Sequence, residues 1–311
     1  MYNILNIIMN NTSLIKIYIK SLIKNINIKE LPKEIDVCFD GGAFNGIYSL
    51  GCAYYLNILE ELKYLKVKRI SGASIGAWIG LIYLINNDEK INCDEIFKII
   101  SKYFKKKFNL RIYKNIVKDF IDKNVDDIDK LNNRLYISYY DINNFELKTI
   151  SKFKNKDHLC ECIIRSSHVP YLMNGKCYYK KRYIDGLMPY IFTDNIRPNL
   201  FIKLCTYNKI IKAIRTNNEE NSQHRIINGI VDINNFFMDG YSDMCSYTNN
   251  WSYYYTIERY IREILIINIL KFINLIIVLY SQLPLSIKNN NTYIKIYRII
   301  IKCIKEIFFI L

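Results

Sequence analysis

Apolar positions along the chain change their spacing from segment to segment, and the spacing predicts an alternation of strands and helices. Ile35-Asp36-Val37-Cys38-Phe39 is strand-like, and a glycine-rich stretch follows it. Ile47 to Leu62 then carries apolar residues at Ile47, Leu50, Ala53, Tyr54 and Ile58, the three-to-four spacing of a helix face. Val67 to Ile70 is a second short β-prone run, and Ile75 to Ile85 is a near-continuous apolar segment of helix length. Residues 94–118 read as one or two helices. Leu135–Tyr140 and Glu146–Ile150 read as two strands joined through Asn143-Asn144, a hairpin signal. A short helix is expected over Cys162–Ser167, a strand over Cys177–Tyr183 and a buried strand over Leu200–Thr206. This order argues for an α/β fold with a mostly parallel central sheet.

The two ends have a different pattern. Lys16, Lys20 and Lys24 recur at i, i+4, i+8 among Ile and Leu, which predicts a helix with a basic stripe. Ile264 to Tyr280 is almost wholly apolar but is interrupted by Asn268, Lys271 and Asn274. That run is short for a transmembrane span and has a lysine near its centre, so it favours a helix packed on the protein or lying on a membrane. From Tyr293 to Leu311, Lys295, Arg298, Lys302 and Lys305 share one face with Ile and Phe opposite, the pattern of a helix at an anionic bilayer surface.

Charge and cysteine usage narrow the classes. The net charge of +15 over 311 residues permits anionic-membrane or nucleic-acid binding, but no nucleic-acid fold signature accompanies it. The nine cysteines are scattered, and Cys160-x-Cys162 has no second pair at zinc spacing. They imply a reducing compartment and no metal site. The N-terminus lacks the basic n-region and small-residue cleavage site of a signal peptide.

The chemistry concentrates in three short motifs. Gly72-Ala73-Ser74-Ile75-Gly76, between the strand ending near Ile70 and the helix from Ile75, is Gly-x-Ser-x-Gly, the nucleophile elbow that lifts a serine hydroxyl clear of its sheet. Asp40-Gly41-Gly42-Ala43-Phe44-Asn45-Gly46 joins a strand to a helix and offers backbone N–H groups that suit an anion. It lacks the lysine of a phosphate loop and the Gly-x-Gly-x-x-Gly of a dinucleotide fingerprint. Beside a nucleophilic serine it reads as an oxyanion hole. The third motif is Ile184-Asp185-Gly186, an aspartate between a β-like run and a glycine turn.

Together these motifs resemble the patatin-like phospholipase family over roughly residues 35–205. Ser166-Ser167-His168-Val169-Pro170 is similar to the Ser-x-x-x-Pro turn that precedes the family's aspartate, and the Gly41 to Gly51 run is similar to its adiponutrin branch. Ala43 replaces a usual glycine, Leu187 replaces the small residue that follows Asp-Gly, and Asn45 stands where plant patatins carry a basic residue. The resemblance implies a three-layer α/β fold and a lipid acyl hydrolase acting on carboxylic esters. Ser74 would be its nucleophile, Asp185 its proton acceptor, and Gly41, Gly42, Ala43 and Gly46 its oxyanion loop. Gly72, Gly76 and Gly186 would shape the two turns, with no cofactor and no metal. The expected partners are a lipid ester and an anionic membrane surface, without nucleic acid, and the expected location is cytoplasmic and peripherally membrane-associated. The apolar run at 264–280 leaves room for a C-terminal anchor.

The expected organisation is a basic amphipathic extension (1–34), the catalytic core (35–205), its helical completion (206–257) and hydrophobic, basic C-terminal helices (258–311). Two other readings stand beside it. A Ser-His-Asp hydrolase with the chain order Ser, acid, His would need His224, because His158 and His168 precede Asp185. A member of the same family with little or no turnover would act as a membrane-binding module.

Overall fold

A computed structural model describes residues 14–85, 93–107, 109–170, 173–176, 178–204 and 223–284, with the single residues 286, 295 and 299. The expected tail helix over 293–311 and the segment 206–222 therefore lie outside the described residues, the isolated positions 295 and 299 apart. Seven strands form one sheet: β1 (Glu34–Phe39), β2 (Lys66–Ala73), β3 (Leu135–Asp141), β4 (Glu146–Ile150), β5 (Tyr183–Asp185), β6 (Asn199–Ile202) and β7 (Cys245–Tyr247). The order is β4-β3-β2-β1-β6-β7, with β5 paired to β3 off that path. β3, β2, β1 and β6 run parallel, and the remaining strands attach antiparallel. The sheet is thus mixed but mostly parallel at its centre and flanked by helices, the expected α/β class.

The helices are α1 (14–23), α2 (Gly46–Glu61), α3 (Ile75–Ile85), α4 (Cys93–Lys107), α5 (Tyr113–Asn124), α6 (Lys156–Ser166), α7 (Gln223–Asp239) and α8 (Tyr253–Gln282). β1 is buried along almost its whole length, which explains its lack of a clean polar–apolar alternation. Leu50, Tyr55, Leu56, Trp78 and Ile79 fill the main core under α2 and α3. The Tyr55 hydroxyl donates to Asn234 Oδ1 at 2.9 Å, tying α2 to α7. A second cluster joins Cys38, Phe192 and Phe201 to Trp251, and a third joins Tyr140, Ile142 and Ile184 to Ile267 of α8.

One feature of the topology positions the site. β2 pairs with β3 as far as Ala73 opposite Ser138, and β5 takes over the same edge of β3 with Asp185 opposite Tyr139. Ser74 leaves β2 at the point where Asp185 arrives. Two residues 111 positions apart therefore become neighbours through one shared strand.

The structure departs from expectation in places. Cys177–Tyr183 is not a strand. Among its described residues, Tyr179 to Tyr183 is a tight turn with Lys180 and Lys181 at φ +49° and +59°, and the strand begins only at Tyr183. Two consecutive left-handed residues make a hairpin turn that normally selects Asn-Gly, so two lysines gave no signal. The β3–β4 turn is found, but its left-handed residue is Phe145 (φ +52°) rather than either asparagine. Two of the three stripe lysines are committed to ion pairs: Lys16 and Lys20 reach Glu61 at 3.0 and 3.4 Å.

Candidate active site

Ser74 sits between β2 and α3 with φ +55°, a left-handed conformation that is costly for a residue with a side chain. The strain is held by close packing on both sides. Any Cβ on Gly76 would run into the carbonyl oxygen of Phe39, and Gly72 packs as tightly on the Gly76 peptide. The motif glycines are thus required by backbone approach, as a sharp strand-to-helix turn demands. The Ala77 N–H donates to the Ser74 carbonyl at 3.1 Å, closing the turn.

Ser74 Oγ lies 2.6 Å from Asp185 Oδ2, a short charge-assisted hydrogen bond. Ser74 is 7% exposed and Asp185 3%. Burial pushes the Asp185 carboxyl up to about 6. The Ser74 hydroxyl and the Leu187 N–H, which donates to Oδ1 at 2.8 Å, oppose that rise, and the charge of Asp40 adds to it. Gly186 fits because any Cβ there would overlap the Ser138 carbonyl.

The glycine-rich loop closes over the pair. A Cβ on Gly41 would sit 2.9 Å from the Leu187 carbonyl oxygen and 3.4 Å from Ser74 Cβ, so all three motifs meet at one point. The Gly41 N–H donates to Asp40 Oδ1 at 3.0 Å, so it is already engaged. Gly42 and Ala43 follow, and Ala43 opens a 3-10 turn, Ala43–Asn45, a right-handed backbone that an L-residue adopts without strain. The first N–H groups of such a turn have no partner within it. Gly46 begins α2 with its Cα against the Ile75 side chain, a packing position. Leu187 has φ +53° and is 37% exposed, so its side chain points outward rather than onto Asp185.

Ser166 and Arg225 brace the site in ways the sequence motifs do not indicate. Ser166 Oγ accepts from the Ser74 N–H at 2.8 Å and donates to the Ser138 carbonyl at 2.6 Å, pinning the strained elbow to β3. The turn after α6 also straps the aspartate: Asp185 N–H donates to the His168 carbonyl and Gly186 N–H to that of Ser166, both at 3.1 Å. Arg225, from α7, donates to Asn45 Oδ1 at 2.7 Å and to the Phe44 carbonyl at 3.3 Å, so a guanidinium braces the glycine loop from outside it. Ser166 was legible only as part of a turn, and no local pattern marks Arg225.

Among the described residues, the side chains of Ser74 and Asp185 hydrogen-bond each other and Asp185 accepts from the Leu187 N–H, while the Ser74 N–H donates to Ser166, and none of these bonds runs to a histidine ring. The His168 ring is buried beside Tyr179, where desolvation lowers its pKa. His224 stands near the start of α7. Among the described residues no cluster of His, Cys, Asp and Glu has the makings of a metal site.

A strained serine at a strand–helix turn, a buried carboxylate on its hydroxyl and a glycine loop beside both define an α/β protein with a nucleophile elbow. The family model for patatin-like phospholipase matches residues 37–196. The chain belongs to that family, which is a family of lipid acyl hydrolases. Comparison with curated proteins gives no match.

Proposed function

We propose that this protein hydrolyses carboxylic esters of lipids through a Ser74–Asp185 dyad. The observation that carries this reading is the 2.6 Å bond between Ser74 Oγ and an Asp185 carboxyl raised to about 6 in a dry site. A carboxylate in water, with a pKa of about 3.9, is a poor base for a hydroxyl. Burial brings Asp185 closer to neutral pH, where general-base catalysis is more effective.

In the first step Asp185 takes the hydroxyl proton as Ser74 Oγ attacks the ester carbonyl. The oxyanion is received by the N–H groups of Gly42 and Ala43, the loop donors that follow the engaged Gly41. Asp185 then returns the proton to the departing alcohol, leaving an acyl-serine. Water, deprotonated by Asp185, attacks that ester and releases the fatty acid, and the proton returns to Ser74. Asp40, Ser166 and Arg225 hold the loop and the elbow in place. The substrate class is a phospholipid, lysophospholipid or acylglycerol.

The reading of a family member without turnover rests on Ala43 and Leu187. The 3-10 backbone at Ala43 and the outward Leu187 side chain argue against it. The net charge supports peripheral docking on anionic membranes, and Cys38, Cys52, Cys160, Cys162 and Cys245, all buried free thiols, support an intracellular location. Hydrolysis of a short-chain ester and of a phospholipid by the wild type, lost in Ser74→Ala, tests the proposal. An equally active Ser74→Ala protein would overturn it.

A further inference from the structure

The helix α8 leaves a long apolar surface uncovered. Toward the protein it turns Tyr255, whose hydroxyl accepts from Lys203 Nζ at 2.9 Å, and Arg259, which lines a small cavity with Met188 and Phe201. Farther along, Ile267 packs on the cluster of Tyr140, Ile142 and Ile184. Toward solvent the helix turns Ile257, Ile261, Ile264, Phe272, Leu275 and Leu279, all exposed, with Phe272 at 62% and Leu275 at 52%. At 100° per residue these six fall within an arc of about 80° and span about 33 Å of helix. Between Ile257 and Leu279, Asn268 is the one polar residue in that arc. A surface helix of a globular protein points its apolar stripe at the core. Contiguous exposed apolar surface of this extent marks an interaction site.

We infer that the outward face of α8 seats the enzyme on a lipid surface by apolar insertion. This inference rests on the lipid-hydrolase reading for its biological sense but not for its geometry. Three observations select lipid over other occupants. The stripe is flanked by further exposed apolar residues, Tyr260 and Val278 on one side and Leu265 on the other, with the exposed Lys271 the one described charge among them. That breadth suits a continuous medium, whereas a two-helix seam is narrow and edged by charges. Exposed Tyr253, Tyr254 and Tyr260 cluster at one end, and tyrosine favours the membrane–water interface. Among the described residues no helix is long and apolar enough to cross a membrane, so α8 fits a helix lying in the plane of the interface. The same helix backs the strand that carries Asp185, through Ile267 against the cluster that holds Ile184. A bilayer on its outer face would therefore lie about one helix diameter, ~10 Å, from that strand.

The test is flotation of the full chain with phosphatidylcholine vesicles, which carry no net charge, at low salt and at about 1 M salt, where the Debye length is about 3 Å. The wild type should float under both conditions. Ile264→Glu and Leu275→Glu should each lower partition about tenfold or more, since each removes one large apolar group from the lipid. A Leu275→Trp protein should show fluorescence quenching by bromolipid, a readout that needs no loss of binding. A wild type that fails to float on neutral vesicles, or glutamate variants that float as well as it does, would overturn the inference. So would a stable dimer that dissociates with Leu275→Glu and ignores vesicles. Parallel assays on a water-soluble short-chain ester separate this inference from the catalytic reading. Flotation without hydrolysis upholds the docking face and rejects the dyad, and hydrolysis without flotation does the reverse.

Discussion

Asp185 and Ile264 break the same rule in opposite directions. Asp185 is a carboxylate almost wholly removed from water, and Ile264 is an aliphatic side chain left 40% exposed on a long helix. Folded proteins normally bury Ile and expose Asp, so the informative sites are the buried polar group and the exposed apolar patch. Each inversion costs stability locally and each suits one half of lipid hydrolysis. In the proposed mechanism the dry carboxylate is the base, and in the proposed docking mode the wet apolar face meets the phase where the substrate lives. α7 is the control, because it buries Ile226, Ile230, Ile233 and Phe236 in the ordinary way. α7 carries one apolar face and covers it, whereas α8 is apolar on most sides and leaves part of that surface open.

Breaking the polar inversion should have the largest consequence. Ser74→Ala should lower ester hydrolysis a thousandfold or more, read by turnover of a short-chain ester, with the melting temperature no lower than the wild type's. Asp185→Asn should be nearly as damaging, whereas His224→Ala should keep most of the activity. The same Asp185→Asn change should stabilise the fold at neutral pH. Because the folded carboxyl is raised from 3.8 to about 6, the unfolded chain ionises first as pH rises between those values, and stability falls over that window. Relief of that penalty is worth up to about 3 kcal/mol above pH 6, before the hydrogen bonds weakened by the amide are counted. Urea unfolding at pH 4 and pH 7 should show the variant's advantage only at the higher pH.

The titration has a kinetic counterpart. Asp185 must be ionised to take the serine proton, so kcat/KM should rise with pH, level off above about 6, and fall about tenfold per unit below it. A flat profile between pH 4 and 7 would remove Asp185 as the base. Smaller effects should follow at the supports. Ser166→Ala strands the Ser74 N–H and should lower kcat about tenfold with little change in KM, as loss of one buried hydrogen-bond partner suggests. Ala43→Gly should change the rate less than tenfold, because one lost oxyanion donor alone costs about a hundredfold or more. Smallest of all, Ile264→Glu should leave unfolding free energy within about 0.5 kcal/mol, while Ile230→Glu in α7 should unfold the chain.

Much of the catalytic half was legible because its chemistry is local. Gly72 to Gly76 writes a turn into five adjacent residues, and the helix Ile75–Ile85 begins and ends where its apolar run does. Asp185 was legible as a motif, but its meeting with Ser74 depends on β3 exchanging β2 for β5 between Ser138 and Tyr139, which no local pattern encodes. Ser166 and Arg225 act across 92 and 180 positions, so their roles emerge only from the fold. The Lys180-Lys181 turn was misread because two strained residues hide inside a β-prone composition. For α8 the sequence showed an almost wholly apolar run, and a helix apolar on most sides does not reveal which side the protein covers.

The most direct test of the central claim is covalent. Purified protein treated with a fluorophosphonate should be labelled at a single site, and peptide mapping should place the adduct on Ser74. Labelling should be abolished in Ser74→Ala and strongly slowed in Asp185→Asn. Labelling of another serine, or an unlabelled wild type that still hydrolyses lipid esters, would contradict the dyad.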